Sequence, residues 1–159
     1  MHHKFAIDDF LEEDYDLIAL HSSEEDYRLA YLLNKNLNLS LFRKKYDLDF
    51  TIQQAVYHFS LFEYEDKKKH ILYHLIANKT EGLKEEQEPI NKASLFHARP
   101  ERRFLVSELK CDYLLKLTSE NGRIPKREII NQINGIKQVI SAYSVEVENL
   151  KSRNNLIFD

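Results

Sequence analysis

The 159-residue chain carries 3 Gly, 3 Pro, 1 Cys and no Trp, with a formal net charge of −3. Glycine and proline fall far below their usual shares of about 7% and 5%. The glycines, at 82, 122 and 135, cannot build a glycine-rich phosphate loop, and Cys111 has no partner for a disulfide. Charges of both signs are interleaved, so the chain lacks the basic stripe of a general nucleic-acid binder. No apolar run approaches the roughly 20 residues that span a bilayer.

Length predicts one domain over 1–159. The N-terminal apolar stretch Phe5-Ala6-Ile7 is followed at once by Asp8-Asp9, which does not suit a signal-peptide core. With one cysteine alone, a reducing, cytoplasmic setting is expected.

In chain order, Phe5–Phe10 reads as a short strand. Tyr15–His21 follows as a strand whose two sides are both mostly apolar, the mark of an interior position. Ser22-Ser23-Glu24-Glu25-Asp26 reads as a helix start with a capping box, Ser22 to Glu25 or Ser23 to Asp26. The helix is predicted over about 23–37, burying Leu29, Ala30, Leu33 and Leu37 and stopped by Asn34, Asn36 and Asn38. Leu39–Leu48 returns as a strand.

Residues 55–64 and 69–77 read as the arms of a hairpin with a charged tip. A three-residue loop at 65–67 would set Tyr57, Phe59 and Leu61 opposite Leu75, Tyr73 and Ile71, and His58 opposite His74. Residues 79–103 read as an irregular charged loop containing Pro89 and Pro100.

Phe104–Val106 and Tyr113–Leu117 are strands, and Asn121-Gly122 is a turn. Pro125 opens a second helix over about 125–140, its stripe formed by Ile129, Ile133, Ile136 and Ile140. Tyr143, Val145 and Val147 make a last strand. The sum is an α+β fold in which two helices cover one face of a mostly antiparallel sheet, with strand-helix-strand halves flanking a hairpin. A ferredoxin-like or ACT-like core is one such arrangement.

Chemistry-bearing groups are sparse. His21, Ser22 and Asp26 sit too close in sequence to assemble a hydrolytic triad, and capping accounts for them. His58, His70 and His74 supply too few ligands for a zinc site. Cys111, between Lys110 and Asp112, reads as a small strand residue. The basic groups at Arg99, Arg102, Arg103 and at Arg123, Lys126, Arg127 read as solvated surface. No catalytic residue, cofactor or metal is expected.

Leu105-Val106-Ser107-Glu108-Leu109-Lys110-Cys111-Asp112-Tyr113 resembles the signature of the bacterial IPExxxVDY family. His21–Tyr31, Leu61–Tyr64 and Leu150–Phe158 are similar to other segments of that family. Val106-Ser107-Glu108 stands where the family has Ile-Pro-Glu, the spacer is one residue shorter, and Cys111 stands for Val. Losing the proline removes a rigid, donor-free position. The family has no assigned chemistry, so the resemblance implies none here. Its residues point to one candidate cluster, Glu108, Asp112, Tyr113, His21 and Asp26, which would be functional if it converged on a pocket. Otherwise Glu108 and Asp112 would satisfy backbone groups at a bend while Tyr113 packs inward.

The expectation is a non-enzymatic protein that binds a protein partner or forms a homodimer, through its sheet or the 79–103 loop, and binds neither nucleic acid nor membrane. A small-ligand regulatory domain of ACT-like type is the alternative, and an undetected enzyme the third reading.

Overall fold

The computed structural model describes residues 14–81, 83–84 and 102–158. The strand expected at Phe5–Phe10 and most of the 79–103 loop lie outside these residues.

The elements are β1 (Tyr15–His21), α1 (Asp26–Leu37), β2 (Phe42–Arg43), β3 (Leu48–Ile52), β4 (Ala55–Phe59), β5 (Leu61–Asp66), β6 (Ile71–Ala77), β7 (Lys79–Glu81), β8 (Leu83–Lys84), β9 (Arg102–Phe104), β10 (Tyr113–Ser119), α2 (Lys126–Asn134) and β11 (Ser141–Val145). Two short 3-10 turns follow, Val147–Asn149 and Arg153–Leu156. Six strands form one antiparallel sheet in the order β11-β1-β10-β6-β5-β2, while β3-β4-β8 and β7-β9 pair separately. The fold is therefore α+β with a mostly antiparallel sheet, as the sequence predicts. No described helix is long and apolar enough to cross a membrane.

The alternation in β1 and β10 explains the layering. Ile18, Leu20, Tyr113, Leu115 and Leu117 point to one face, where Leu29, Leu32 and Leu33 of α1 and Ile129 and Ile133 of α2 cover them. Leu17, Ala19 and Leu114 point to the other, where they meet Tyr57 and Phe59 of β4, Leu105, Val106, Leu150 and Leu156. A strand covered on both faces is apolar on both sides, which is why β1 and β10 read as near-continuous apolar runs. β1 lies between β10 and β11 and is antiparallel to both. Strands β10 and β11 are thus parallel, joined through α2 with β1 inserted between them.

Several expectations are corrected. No capping box forms: α1 begins at Asp26, and Glu25 at its N-cap makes no side-chain bond to the first turn. Ser22 is already committed, its N–H donating to Asp112 at 2.9 Å and its hydroxyl to the Gln138 carbonyl at 2.9 Å. The strand expected at 39–48 is cut short after Arg43, where the chain turns and Arg43 bonds Asp47 at 3.0 Å. The expected arm 55–64 bends at Ser60, so Tyr57 and Phe59 pair with β3, not β6. Of that arm only β5 pairs with β6, with Leu61 opposite Ile76 and Asp66 opposite Ile71. Asp66 fixes that register by accepting bonds from the N–H groups of Lys68 and Lys69 at 3.1 Å. His58 accordingly faces Asp49, and His74 faces Glu63. The ends of the 79–103 loop are strands, β7 with β9 and β8 with β4.

Helix α2 stops at Asn134, short of 140, and Pro125 sits just outside it. Gly135 is its C-cap, not an interior residue. The Asn134 amide donates to the Ala142 carbonyl at 2.9 Å and its oxygen accepts the Ala142 N–H at 2.8 Å. Asn34, in the last turn of α1, makes the same pair of bonds to Leu41 at 3.1 and 2.8 Å. Ala142 lies in β11 and Leu41 immediately precedes β2, and these are the two edge strands. At each edge an asparagine thus takes up one residue's N–H and carbonyl, which works against edge-to-edge pairing at that point. Replacing Asn134 with Ala is expected to cost about 1 kcal/mol and to add concentration-dependent self-association in light scattering.

Gln53 and Gln54 join β3 to β4 with φ of 49° and 67°. Two left-handed central residues make a type I′ hairpin, a turn that favours Asn-Gly. Gln53→Asn with Gln54→Gly is expected to raise stability by about 1 kcal/mol, seen as a higher thermal midpoint.

Candidate functional site

The 105–112 loop between β9 and β10 is irregular yet partly buried, so its backbone groups need partners. Asn78, fully buried just after β6, supplies them. Its amide donates to the carbonyls of Leu109 and Cys111 at 3.1 and 3.0 Å, and its side-chain oxygen accepts the Val106 N–H at 2.8 Å. Its own N–H donates to the Asp112 carbonyl at 2.9 Å, and its carbonyl accepts the Leu105 N–H at 2.8 Å.

From this loop the candidate residues reach in different directions. Asp112 accepts the Ser22 N–H and lies 3.3 Å from the Lys79 ammonium. Tyr113 donates its hydroxyl to the Glu24 carbonyl. Both therefore hold the β1–α1 corner. Burial, and then the surrounding carboxylates of Asp26, Asp112, Glu25 and Glu24, push the Tyr113 phenol well above its ordinary value. His21 also lies at this corner, but its Nε2 is 3.0 Å from the Tyr143 hydroxyl and the two rings stack at 5.6 Å. Asp26 accepts the Tyr27 N–H and sits 3.7 Å from Arg43.

Glu108 is elsewhere. It accepts the N–H and hydroxyl of Ser152 at 3.0 and 2.6 Å, tying the 105–112 loop to the 150–158 segment. These bonds hold its carboxyl down to about 2. The five candidates thus divide into a corner group and one distant tether, and their polar atoms are spent largely on backbone groups and one another's neighbours. Cys111 is fully buried, and burial pushes its thiol up to about 11, which leaves it protonated and unreactive at neutral pH.

The histidines do not meet. His58 bonds Asp49 at 2.6 Å, His70 lies 3.7 Å from Glu120, and His74 bonds Glu63 at 2.9 Å. Among the described residues, no group of three or more His, Cys, Asp or Glu side chains could hold a metal.

A second polar feature escaped sequence reasoning. Register places Lys116, His74 and Glu63 side by side across β10, β6 and β5, on the sheet face away from the helices. Lys44 completes the row, 3.1 Å from Glu63. Lys116 and His74 are both buried. Burial works against the Glu63 carboxylate, but bonds from His74 and Lys44 outweigh it and its pKa lies below the ordinary value. The only signal in the sequence is a lysine in the middle of an apolar strand. Beside the row lies a cavity of about 770 Å³ whose walls include Tyr15, Lys116, Lys126, Glu146, Arg153 and Phe158.

No family model matches the chain, and no curated protein or solved structure matches it.

Asn78→Ala is expected to cost about 3 kcal/mol or more, because it strands the Val106 N–H and two carbonyls in the interior. Urea unfolding measures it. An exposed control such as Lys151→Ala should stay within about 0.5 kcal/mol of the parent.

Proposed function

We propose that this chain is a cytoplasmic, non-enzymatic interaction module that docks a protein partner along the stretch from α1 through β2. The observation that carries this reading is where the exposed aromatics fall. Tyr27, Tyr31, Phe42 and Tyr46 are 64%, 54%, 55% and 74% exposed, and all lie within one stretch of chain. Tyr27 and Tyr31 continue the helical stripe of Asn34, which bonds the residue just before β2. The ion pair from Asp26 to Arg43 fastens the start of α1 to β2. Cations accompany three of the rings: Arg28 at Tyr31, Lys44 at Phe42 and Lys45 at Tyr46. Aromatic and arginine side chains are the types enriched at interface hot spots.

Charge suggests the partner. Between Asp26 and Asp47 lie five cations; Arg43 pairs with Asp26 and Asp47 and Lys44 with Glu63, which leaves Arg28, Lys35 and Lys45 outside any ion pair among the described residues. An acidic protein segment is the complement. The asparagine-bonded sheet edges speak against partnering by strand addition. The order β11-β1-β10 followed at the far edge by β2 would be ferredoxin-like if the β5–β6 hairpin is taken as an insertion.

A photo-crosslinking amino acid placed at Tyr31 or Tyr46 is expected to capture a discrete partner through an acidic peptide, with none captured from Glu148. Tyr27→Ser with Tyr31→Ser should weaken that partner about tenfold or more. No adduct at either position would overturn the reading. The second reading, a small-ligand regulatory domain, draws on the 770 Å³ cavity with charges of both signs. Thermal stabilisation by an amino acid or a nucleotide would favour it instead.

A further inference from the structure

We propose that residues 153–158 form an acid-released strap across the charged row of the sheet, closed at neutral pH and opened by protonation of His74. The upstream end of this segment is fastened independently of the row: Ser152 bonds Glu108, and the Asn155 amide donates to the Leu105 carbonyl at 2.8 Å. The downstream end rests on the row itself. The Lys116 ammonium donates to the Leu156 carbonyl at 2.8 Å. It also lies between two rings, 4.6 Å from Tyr15 and 4.7 Å from Phe158. The Phe158 ring meets His74 edge to face at 4.9 Å.

His74 is the titrating element. It is 6% exposed, its Nε2 bonds Glu63, and its Nδ1 is buried with no hydrogen-bond partner among the described residues. The Nε2–H donates to the carboxylate, so the neutral ring carries its lone pair on Nδ1. A second proton must go to Nδ1, where a new N–H would be buried without an acceptor. The groups that face the ring are Glu63 from β5, Lys44 after β2, Lys116 from β10 and Phe158 from the strap, with Tyr15 of β1 and Arg153 beyond Lys116. Glu63 favours the charged ring; burial opposes it most, and Lys116 and Lys44 add repulsion, so the His74 pKa lies below the ordinary 6.5. Lifting Phe158 away admits water to the ring and removes the apolar cover.

Linkage then fixes the direction. A group whose pKa is depressed in the closed form stabilises that form fully above the open-form value and loses this contribution as pH falls below it. The closed strap is therefore favoured at neutral pH and loses stabilisation as pH falls through the range in which His74 takes up its second proton. Opening lifts Phe158 from His74 and Lys116, so acid uncovers the buried part of the row beside the cavity.

Amide hydrogen exchange followed by mass spectrometry at pH 7.5 and 5.5, corrected for the intrinsic rate, tests this. Protection of 153–158 is expected to fall at least about threefold at the lower pH, while β1 and β10 keep theirs. His74→Gln, which retains a donor to Glu63 and cannot titrate, should abolish the difference. Unchanged protection in the parent, loss in all strands together, or the same pH dependence in His74→Gln would overturn the proposal. A proton NMR titration of the parent and of Phe158→Ala decides the matter even where His74→Gln fails to fold. The His74 pKa should rise when the ring is removed, and an unchanged value would overturn the coupling.

Discussion

The five hydrogen bonds from Asn78 to backbone groups are the constraint on which the rest of this structure depends. Two layers of apolar side chains press on the sheet, and between β9 and β10 the chain must pass through that interior without strand or helix bonding. Each unpaired buried amide or carbonyl there would cost about 1–3 kcal/mol. One asparagine meets the need because its amide has a donor end and an acceptor end, as a peptide unit does. Once Asn78 holds Leu105, Val106, Leu109, Cys111 and Asp112, the side chains of Glu108, Asp112 and Tyr113 are aimed, and they in turn fasten Ser152, Ser22 and Glu24. The corner that starts α1 and the turns that follow β11 are thus both positioned from one loop.

The same economy of polar groups appears at the sheet edges and on its second face. Asn34 and Asn134 serve backbone that would otherwise invite another strand. On the second face the charged row is tolerated because its members satisfy one another: Glu63 stands between His74 and Lys44, and Lys116 has a carbonyl and two rings. An uncompensated charge at that depth would cost several kcal/mol. His74 Nδ1 is the exception, a buried acceptor without a donor among the described residues.

Wherever a local period decided the structure, the sequence was legible. Tyr15–His21, Tyr113–Leu117 and the buried face of α1 all follow from side-chain alternation or helical spacing, as does the coverage of one sheet face by helices. What was not legible depends on partners far away in the chain. Ser22 looks like a cap until Asp112 takes its N–H, ninety residues on. The apolar stripe of the second helix continues through Ile136 and Ile140, but Asn134 turns aside to Ala142 and the helix ends. The run from Ala55 to Tyr64 has uniform strand composition, and nothing local marks Ser60 as the bend that sends its halves to different sheets. The cluster of Glu108, Asp112, Tyr113, His21 and Asp26 shares this limit: residue type suggested chemistry, while position assigned most of them to holding backbone.

In the folded chain the segments 21–31 and 150–158 are each bonded to 105–113, the first through Asp112 and Tyr113 and the second through Glu108. Altering any one of these three residues frees a distant backbone group. The side chains left over by this accounting are those that bond little and are exposed: the rings of Tyr27, Tyr31, Phe42 and Tyr46 with the cations beside them. Large exposed aromatics bring no stability to an isolated domain and carry a solubility cost. They fall within one stretch of chain, Tyr27 and Tyr31 on α1 and Phe42 opposite Glu63 on the other face of the edge strand β2, and that stretch is the physical ground for seeking recognition there.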